Sequence, residues 1–168
     1  MKNILKIAAA FVSFAAFPAL GQSLNYSDDH TASCLAVGKS LQQKKACIGV
    51  SANACMENTP GGFSTAAMTG CLDHELNWWD KRLNAAYRMR MKQNKADDAQ
   101  SRADGISAPS KVKSMRAMQQ TWIPYRDARC HDAAAQFGGG TGAGPAQVGC
   151  LLTMTAEQAL FLETGPDM

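Results

Sequence analysis

The chain has 168 residues, with 17 lysines and arginines against 14 aspartates and glutamates. This length suits one domain with one core and is too short for two. If Lys2 and Lys6 leave with an export signal, the net charge falls to about +1, which excludes charge-driven nucleic-acid binding.

The first 21 residues are predicted to be a signal peptide. Lys2 and Lys6 precede an apolar run at 7–17 that is too short to span a bilayer. The small residues Ala19 and Gly21 suit a cleavage site, so we expect the mature chain to start near Gln22. A retained membrane anchor is the alternative, whereas a lipid anchor is disfavoured because no cysteine follows Gly21. We therefore expect one domain at 22–168, periplasmic or secreted and without a membrane anchor.

All the cysteines lie in the predicted mature part. An even count behind an export signal predicts three disulfides, with fifteen connectivities. There is no Cys-x-x-Cys pair and no paired histidine spacing, so we expect no thioredoxin-like site, metal or cofactor. The six are Cys34, Cys47, Cys55, Cys71, Cys130 and Cys150.

The first half of the mature chain contains one strong helix signal. Residues 22–29 are predicted to be a loose arm, and 31–40 and 45–56 to be two short helices. After a Pro-Gly break, Ser64 caps a long helix that we expect to end near residue 93. Its apolar stripe comprises Met68, Leu72, Leu76, Trp79, Leu83 and Ala86.

The second half contains two further helices. A polar connection at 94–107 precedes a long helix capped by Ser107 or Ser110, in which Pro124 predicts a kink or a break into two shorter helices. A glycine-rich loop at 138–144 precedes a last helix that begins at Pro145. The inward stripe of the second long helix comprises Val112, Met115, Met118 or Gln119, Trp122 and Tyr125.

These elements predict an all-α fold. No segment alternates apolar and polar residues for long enough to form a strand. We expect a small disulfide-stapled helical bundle, with two long antiparallel helices and shorter helices at the N- and C-terminal ends.

The predicted helix ends favour one disulfide connectivity. Cys130 and Cys150 flank the glycine-rich turn, and closing a loop of this size contributes about 3 kcal/mol in the chain-entropy model. Cys55 and Cys71 flank the Pro-Gly break, which leaves 34 with 47 by elimination. That last pair requires a turn at 41–44, because one straight helix would separate the two cysteines by about 20 Å.

A line of polar residues accompanies the two long helices. Glu75, Asp80 and Asn84 lie on the first, and Arg126 and Asp127 on the second. We predict a structural network between the helices, in which Arg126 pairs with Asp80 or Glu75 and Asn84 bonds across. A binding surface is one alternative. A carboxylate pair for acid–base or glycoside chemistry is another, which the position beside the apolar stripe disfavours. No catalytic residue is assigned.

Aromatic and basic residues also line these helices. Trp79 and Trp122 are predicted to be buried on the stripes. Trp78 lies beside the stripe and is the candidate contact for a partner. The basic residues Lys81, Arg82, Arg88, Arg90 and Lys92 are predicted to form a solvated face.

Two blocks of residues on the long helices form a recognisable pattern. The first block is Cys71, Glu75, Leu76, Asp80, Leu83, Asn84 and Tyr87; the second is Gln120, Trp122, Tyr125, Arg126, Asp127 and Cys130, followed by Cys150. Their order and spacing resemble the N-terminal domain of the lysozyme inhibitor LprI family, over about residues 55–162. The resemblance implies an exported helical protein without enzymatic activity, in some members a lysozyme inhibitor.

The chain departs from the family pattern in three places. It lacks the lipidated cysteine of the namesake, has Gln158 where an arginine is frequent, and adds the segment 34–47. The resemblance implies a non-enzymatic binding protein that inhibits a lysozyme-type muramidase. The alternative is a periplasmic structural or envelope interaction module without lysozyme inhibition. The oligomeric state is left open.

Charge bears on the inhibitor hypothesis. Lysozymes are generally basic, so an electrostatically steered inhibitor is expected to be acidic, whereas this chain is near neutral. Inhibition then requires a segment that enters the enzyme cleft. The candidates are the loops predicted at 94–107 and 138–144.

Overall fold

The computed structural model describes residues 23–165, and in this range it contains six α-helices and no strand. This confirms the predicted all-α fold. The predicted signal peptide at 1–21 lies outside the described residues. The helices are α1 (Asp29–Val37), α2 (Leu41–Lys45), α3 (Val50–Asn58), α4 (Thr65–Ala103), α5 (Lys111–Ala135) and α6 (Ala143–Thr164).

Helix α6 is the main partner of α4. We expected the two long helices, α4 and α5, to form the central pair, but α4 makes its most extensive contacts with α6. The reason is the composition of α6, whose charged residues are only Glu157 and Glu163. Fully buried Ala156 and Ala159 allow the backbones of α4 and α6 to approach closely.

Helix α4 begins as predicted and ends later than predicted. Ser64 caps its first turn by accepting a hydrogen bond from the Ala67 amide. The helix then continues for 39 residues, through the stretch that we expected to be a loop. Its last turns are stabilised across the corner to α5, because Asp98 accepts hydrogen bonds from Ser110 Oγ, at 2.7 Å, and from the Lys111 amide, at 2.8 Å.

Helix α5 lies on the outside of the bundle. It runs without a break through Pro124, so the alternative of two shorter helices is wrong, and the kink expected at Pro124 stays a prediction. Of the residues of α5, all of which the structure describes, only Cys130 is buried. Trp122 is half-buried and Tyr125 is 57% exposed, so the predicted inward stripe is wrong at Tyr125. The cause is that α6 occupies the side of α4 where we expected α5.

The N-terminal segment forms three short helices rather than two. A capping box between Ser40 and Gln43 starts α2, and Gly49, with φ of 90°, precedes α3. Residues 23–28 are not the loose arm that we expected. Leu24 packs closely on Gly70: a Cβ added to Gly70 would lie 2.6 Å from Leu24 Cδ1. The Asn25 amide donates to Thr59 Oγ1 at 3.0 Å.

Three disulfides form in the predicted pairing. Cys34–Cys47 links α1 to the segment before α3, with the required turn supplied by α2. Cys55–Cys71 links α3 to α4, and Cys130–Cys150 links α5 to α6. Each bridge therefore joins two segments that are close in the sequence, separated by 13 to 20 residues.

Between residues 23 and 165, no helix combines the length and the apolar character that crossing a membrane requires.

Candidate functional site

Glu75 is a fully buried carboxylate in the middle of the fold. Its side chain accepts four hydrogen bonds, at 2.9 Å from Thr31 Oγ1, 2.9 Å from the Gly49 amide, 2.7 Å from the Ala52 amide and 3.1 Å from Trp79 Nε1. These donors come from α1, from α3 and the residue that precedes it, and from α4 itself. Glu75 therefore fastens the N-terminal helices onto α4, and α1 and α3 enclose it.

The carboxylate also affects a neighbouring phenol. Burial, and then the negative charge of Glu75, raise the pKa of Tyr26 above its ordinary value. The Tyr26 ring stacks on His74, with ring centroids 5.0 Å apart. The chain before α1 is thus packed onto the same part of α4.

The predicted network between the long helices does not form. Asp80 and Asn84 are exposed and bond to each other along α4, at 2.9 Å. Arg126 instead donates to its neighbour Asp127, at 2.8 Å, and lies over the Trp122 ring. The five predicted residues thus fall into three separate groups, because the displacement of α5 to the outside of the bundle removes Arg126 from Glu75 and Asp80.

Trp78 is half-buried rather than freely exposed. Its ring meets the buried Trp79 ring edge-on, with centroids 5.0 Å apart. Arg82 covers both rings and donates from Nη2 to Glu163 Oε2 of α6, at 2.9 Å. This part of the surface is therefore already occupied by an intramolecular contact between α4 and α6.

A cleft of about 280 Å³ lies between α4 and α5. We call it the α4–α5 cleft. It brings together Asn84 and Tyr87 of the first sequence block with Gln120 of the second, although these blocks lie far apart in the sequence. Gln158 supports the wall of this cleft from α6, because its Nε2 donates to Gln119 Oε1 at 3.1 Å. The lining residues are Asn84, Tyr87, Arg116, Gln119, Gln120 and Ile123.

A second groove lies on the other flank of α5. We call it the methionine groove. It comprises a cavity of about 520 Å³, whose lining includes Met115, Met118 and Phe161, and an adjoining one of about 530 Å³ beside Trp122 and Tyr125. Methionine side chains adapt to different partners. The sequence pattern contained the methionines and aromatics but did not reveal that they remain accessible.

Helix α5 is therefore a ridge between two open grooves, with an exposed apolar side chain on each flank. Ile123, which is 43% exposed, lines the α4–α5 cleft, and Tyr125, which is 57% exposed, lines the methionine groove. Apolar residues surrounded by amides and arginines are typical of a protein-binding surface. The chemistry of the ridge and its grooves fits recognition of another protein.

The two loops predicted to enter a partner's cleft differ from expectation. The segment 94–103 belongs to α4, so it is helical. The glycine-rich loop at 138–142 is a short connection between α5 and α6, the two helices that the disulfide Cys130–Cys150 links. The Phe137 ring packs on Gly142: a Cβ added to Gly142 would lie 2.5 Å from the ring. The ridge on α5 therefore replaces these loops as the candidate contact surface.

Comparison with known proteins identifies the family. The family model for lysozyme inhibitor LprI matches residues 55–162, which include the cysteine pairs 55–71 and 130–150 and the whole of α4 and α5. An uncharacterized 17.7 kDa protein in the puhA 5' region of Rhodobacter capsulatus is 30% identical over 148 residues, which cover 88% of each chain. No solved structure matches this chain significantly. The chain therefore belongs to the lysozyme inhibitor LprI family, an inhibitor family rather than an enzyme family.

Proposed function

We propose that this protein is exported and binds and inhibits a lysozyme-type muramidase without catalysing a reaction. The observation that carries the proposal is the position of α5, a 25-residue helix on the outside of the bundle with an open groove along each flank. Membership of an inhibitor family supplies the class of partner.

The disulfides support an extracytoplasmic location. Structural disulfides such as these three form and persist in oxidising compartments, such as the periplasm or the cell exterior, and are rare in the cytosol. Cleavage of the predicted signal peptide at 1–21 would release the mature chain from about Gln22 onward.

The ridge on α5 suits the blocking of a glycan cleft. A helix of this length spans about 37 Å, which is more than enough to cross a cleft that holds several sugars. Ile123 and Tyr125 would contact the enzyme from the two flanks of α5, and Asn84 and Gln120 offer hydrogen bonds beside Ile123. An inhibitor of this kind excludes the substrate and needs no catalytic group.

A turbidity assay tests the proposal. Purified, oxidised mature protein is titrated into suspensions of cell walls with animal and bacterial lysozymes, and we expect lysis to slow until the two proteins reach a fixed molar ratio. Ile123→Glu should weaken inhibition at least tenfold. The matched control Ile106→Glu changes an isoleucine of similar exposure in the loop before α5, and should inhibit normally.

The absence of inhibition at a large molar excess over every lysozyme would contradict the proposal. The protein would then be better described as an envelope interaction module. Equal inhibition by the two glutamate variants would keep the function and reject the ridge on α5 as its site.

A further inference from the structure

The charges of this chain are separated along the fold. Residues 81–130, which cover most of α4 and α5, contain twelve lysines and arginines against four acids. The other described residues, 23–80 and 131–165, contain three against nine. The near-neutral net charge therefore hides a strongly basic part and an acidic part.

The basic part includes a stripe along the outer face of α4. Lys81, Arg88, Lys92 and Lys95 are all exposed, and their spacings of seven, four and three residues place them on one side of the helix. They extend over about 21 Å. None of these four, which we call the basic stripe, forms an ion pair with any residue between 23 and 165.

The four acids in this part of the chain are already engaged within the protein. Asp97 pairs with Lys111, at 2.7 Å, and Asp98 caps α5. Asp104 accepts a hydrogen bond from Gln100, and Asp127 accepts two from its neighbour Arg126. These four acids therefore do not neutralise the positive charge of the basic stripe.

The basic stripe borders the α4–α5 cleft. Arg88 lies one turn after the cleft residue Asn84 on α4, and Arg116 lines the cleft from α5. Lys113 lies about one turn before Arg116 on the same helix and is also exposed. A partner seated in this cleft would meet cations on both helices.

We infer that the partner is a muramidase with an acidic surface around its glycan cleft. This inference rests on the proposed function and specifies which partner that function selects. Complementary charges accelerate association and reject partners of like charge. Glycosidase clefts also contain a pair of carboxylates, which adds negative charge where the cations would arrive. The basic stripe would repel a strongly basic lysozyme, whereas an inhibitor with a neutral or acidic surface would not.

Association kinetics test the inference. The probes are an acidic bacterial muramidase and a strongly basic animal lysozyme, each mixed with the oxidised mature protein at low and at high salt. The test variant is Lys92→Glu with Lys95→Glu. The control is Lys39→Glu with Lys44→Glu, which makes the same charge change in the N-terminal segment.

We expect the wild type to inhibit the acidic enzyme at least tenfold more strongly than the basic one. The test variant should associate with the acidic enzyme at least tenfold more slowly at low salt, the difference should shrink at high salt, and the control should stay within twofold of wild type.

Other outcomes overturn the inference. Inhibition that is equal for both enzymes and unaffected by the basic stripe would reject the inference and keep the proposed function. No inhibition of either enzyme would reject both. Vesicles of phosphatidylglycerol provide a further arm. If the wild type binds them, the test variant does not, and the rate with muramidase is unchanged, the basic stripe belongs to a lipid surface and the inference is wrong.

Discussion

Replacing Glu75 with glutamine should lower the free energy of unfolding by about 1–3 kcal/mol. One carboxylate oxygen accepts from Thr31, Gly49 and Trp79, and the other accepts from the Ala52 amide. A glutamine oxygen can keep the first three bonds. Its NH₂ group would then face the amide of Ala52, and one buried donor would lose its acceptor without access to water.

A more drastic substitution of Glu75 should destabilise the protein further. Glu75→Leu removes all four acceptor contacts from a fully enclosed site, so the loss should reach about 3–5 kcal/mol. Most of this cost should appear as loosening of α1 and α3, since two of the donors are backbone amides at the start of α3.

Equilibrium unfolding in urea measures the effect, with tryptophan fluorescence as the signal and the disulfides kept oxidised. Trp79 reports directly, because its indole donates to Glu75. The matched control is Glu57→Gln on the exposed side of α3, which should change stability by less than about 0.5 kcal/mol. If Glu75→Gln were as stable as Glu57→Gln, the account of Glu75 as the fastening point would be refuted.

Three further changes test other parts of the fold. Cys130→Ala with Cys150→Ala should cost about 3 kcal/mol and speed amide hydrogen exchange in α5 far more than in α4; uniform exchange would contradict the peripheral position of α5. Gly62→Ala should lower the Tm of the protein, because the new Cβ would overlap a backbone carbonyl of α3. Gly149→Ala has room for a Cβ and lies within a helix, so its Tm should be unchanged or higher. A lower Tm for Gly149→Ala than for Gly62→Ala would be inconsistent with the packing. Asp98→Asn should lower Tm at neutral pH, because the hydrogen bond from Ser110 lowers the pKa of Asp98. This carboxylate contributes stability above its unfolded pKa, so the difference in Tm should disappear as the pH falls through the lowered value, and a difference that persists in acid would refute the role of its charge.

Local signals predicted much of this fold. Ser64 and the Pro-Gly break located the start of α4, and the glycine-rich turn located the corner that Cys130 and Cys150 bridge. Caps, breaks and disulfides across short connections depend on residues close in the sequence, so a linear pattern contains them.

The features that the sequence did not predict depend on contacts between segments far apart in the chain. Asp98 extends α4 by capping a helix that starts 13 residues later, and nothing in the local pattern indicates that pairing. Glu75 has donors 23 to 44 residues before it, two of them backbone amides that no side-chain pattern encodes. Both contacts exist only once the tertiary fold brings the segments together.

The wrong prediction with the largest consequence for function is that Tyr125 of α5 faces inward. Met115, Trp122 and Tyr125 recur at helical spacing, which predicts an amphipathic helix and not the depth to which it is buried. That depth depends on α6, whose apolar residues compete for the same side of α4. The candidate surface therefore depends on how α4, α5 and α6 pack together, which the pattern of a single helix does not contain.

Amide hydrogen exchange of the protein bound to a muramidase tests whether α5 is the binding surface, because one measurement reports both binding and location. We predict that exchange slows in the middle of α5 and along the facing part of α4, around Ile123 and Asn84, and stays unchanged in α1 to α3. Absence of any protection at saturating enzyme, or protection confined to α1 to α3, would contradict the account.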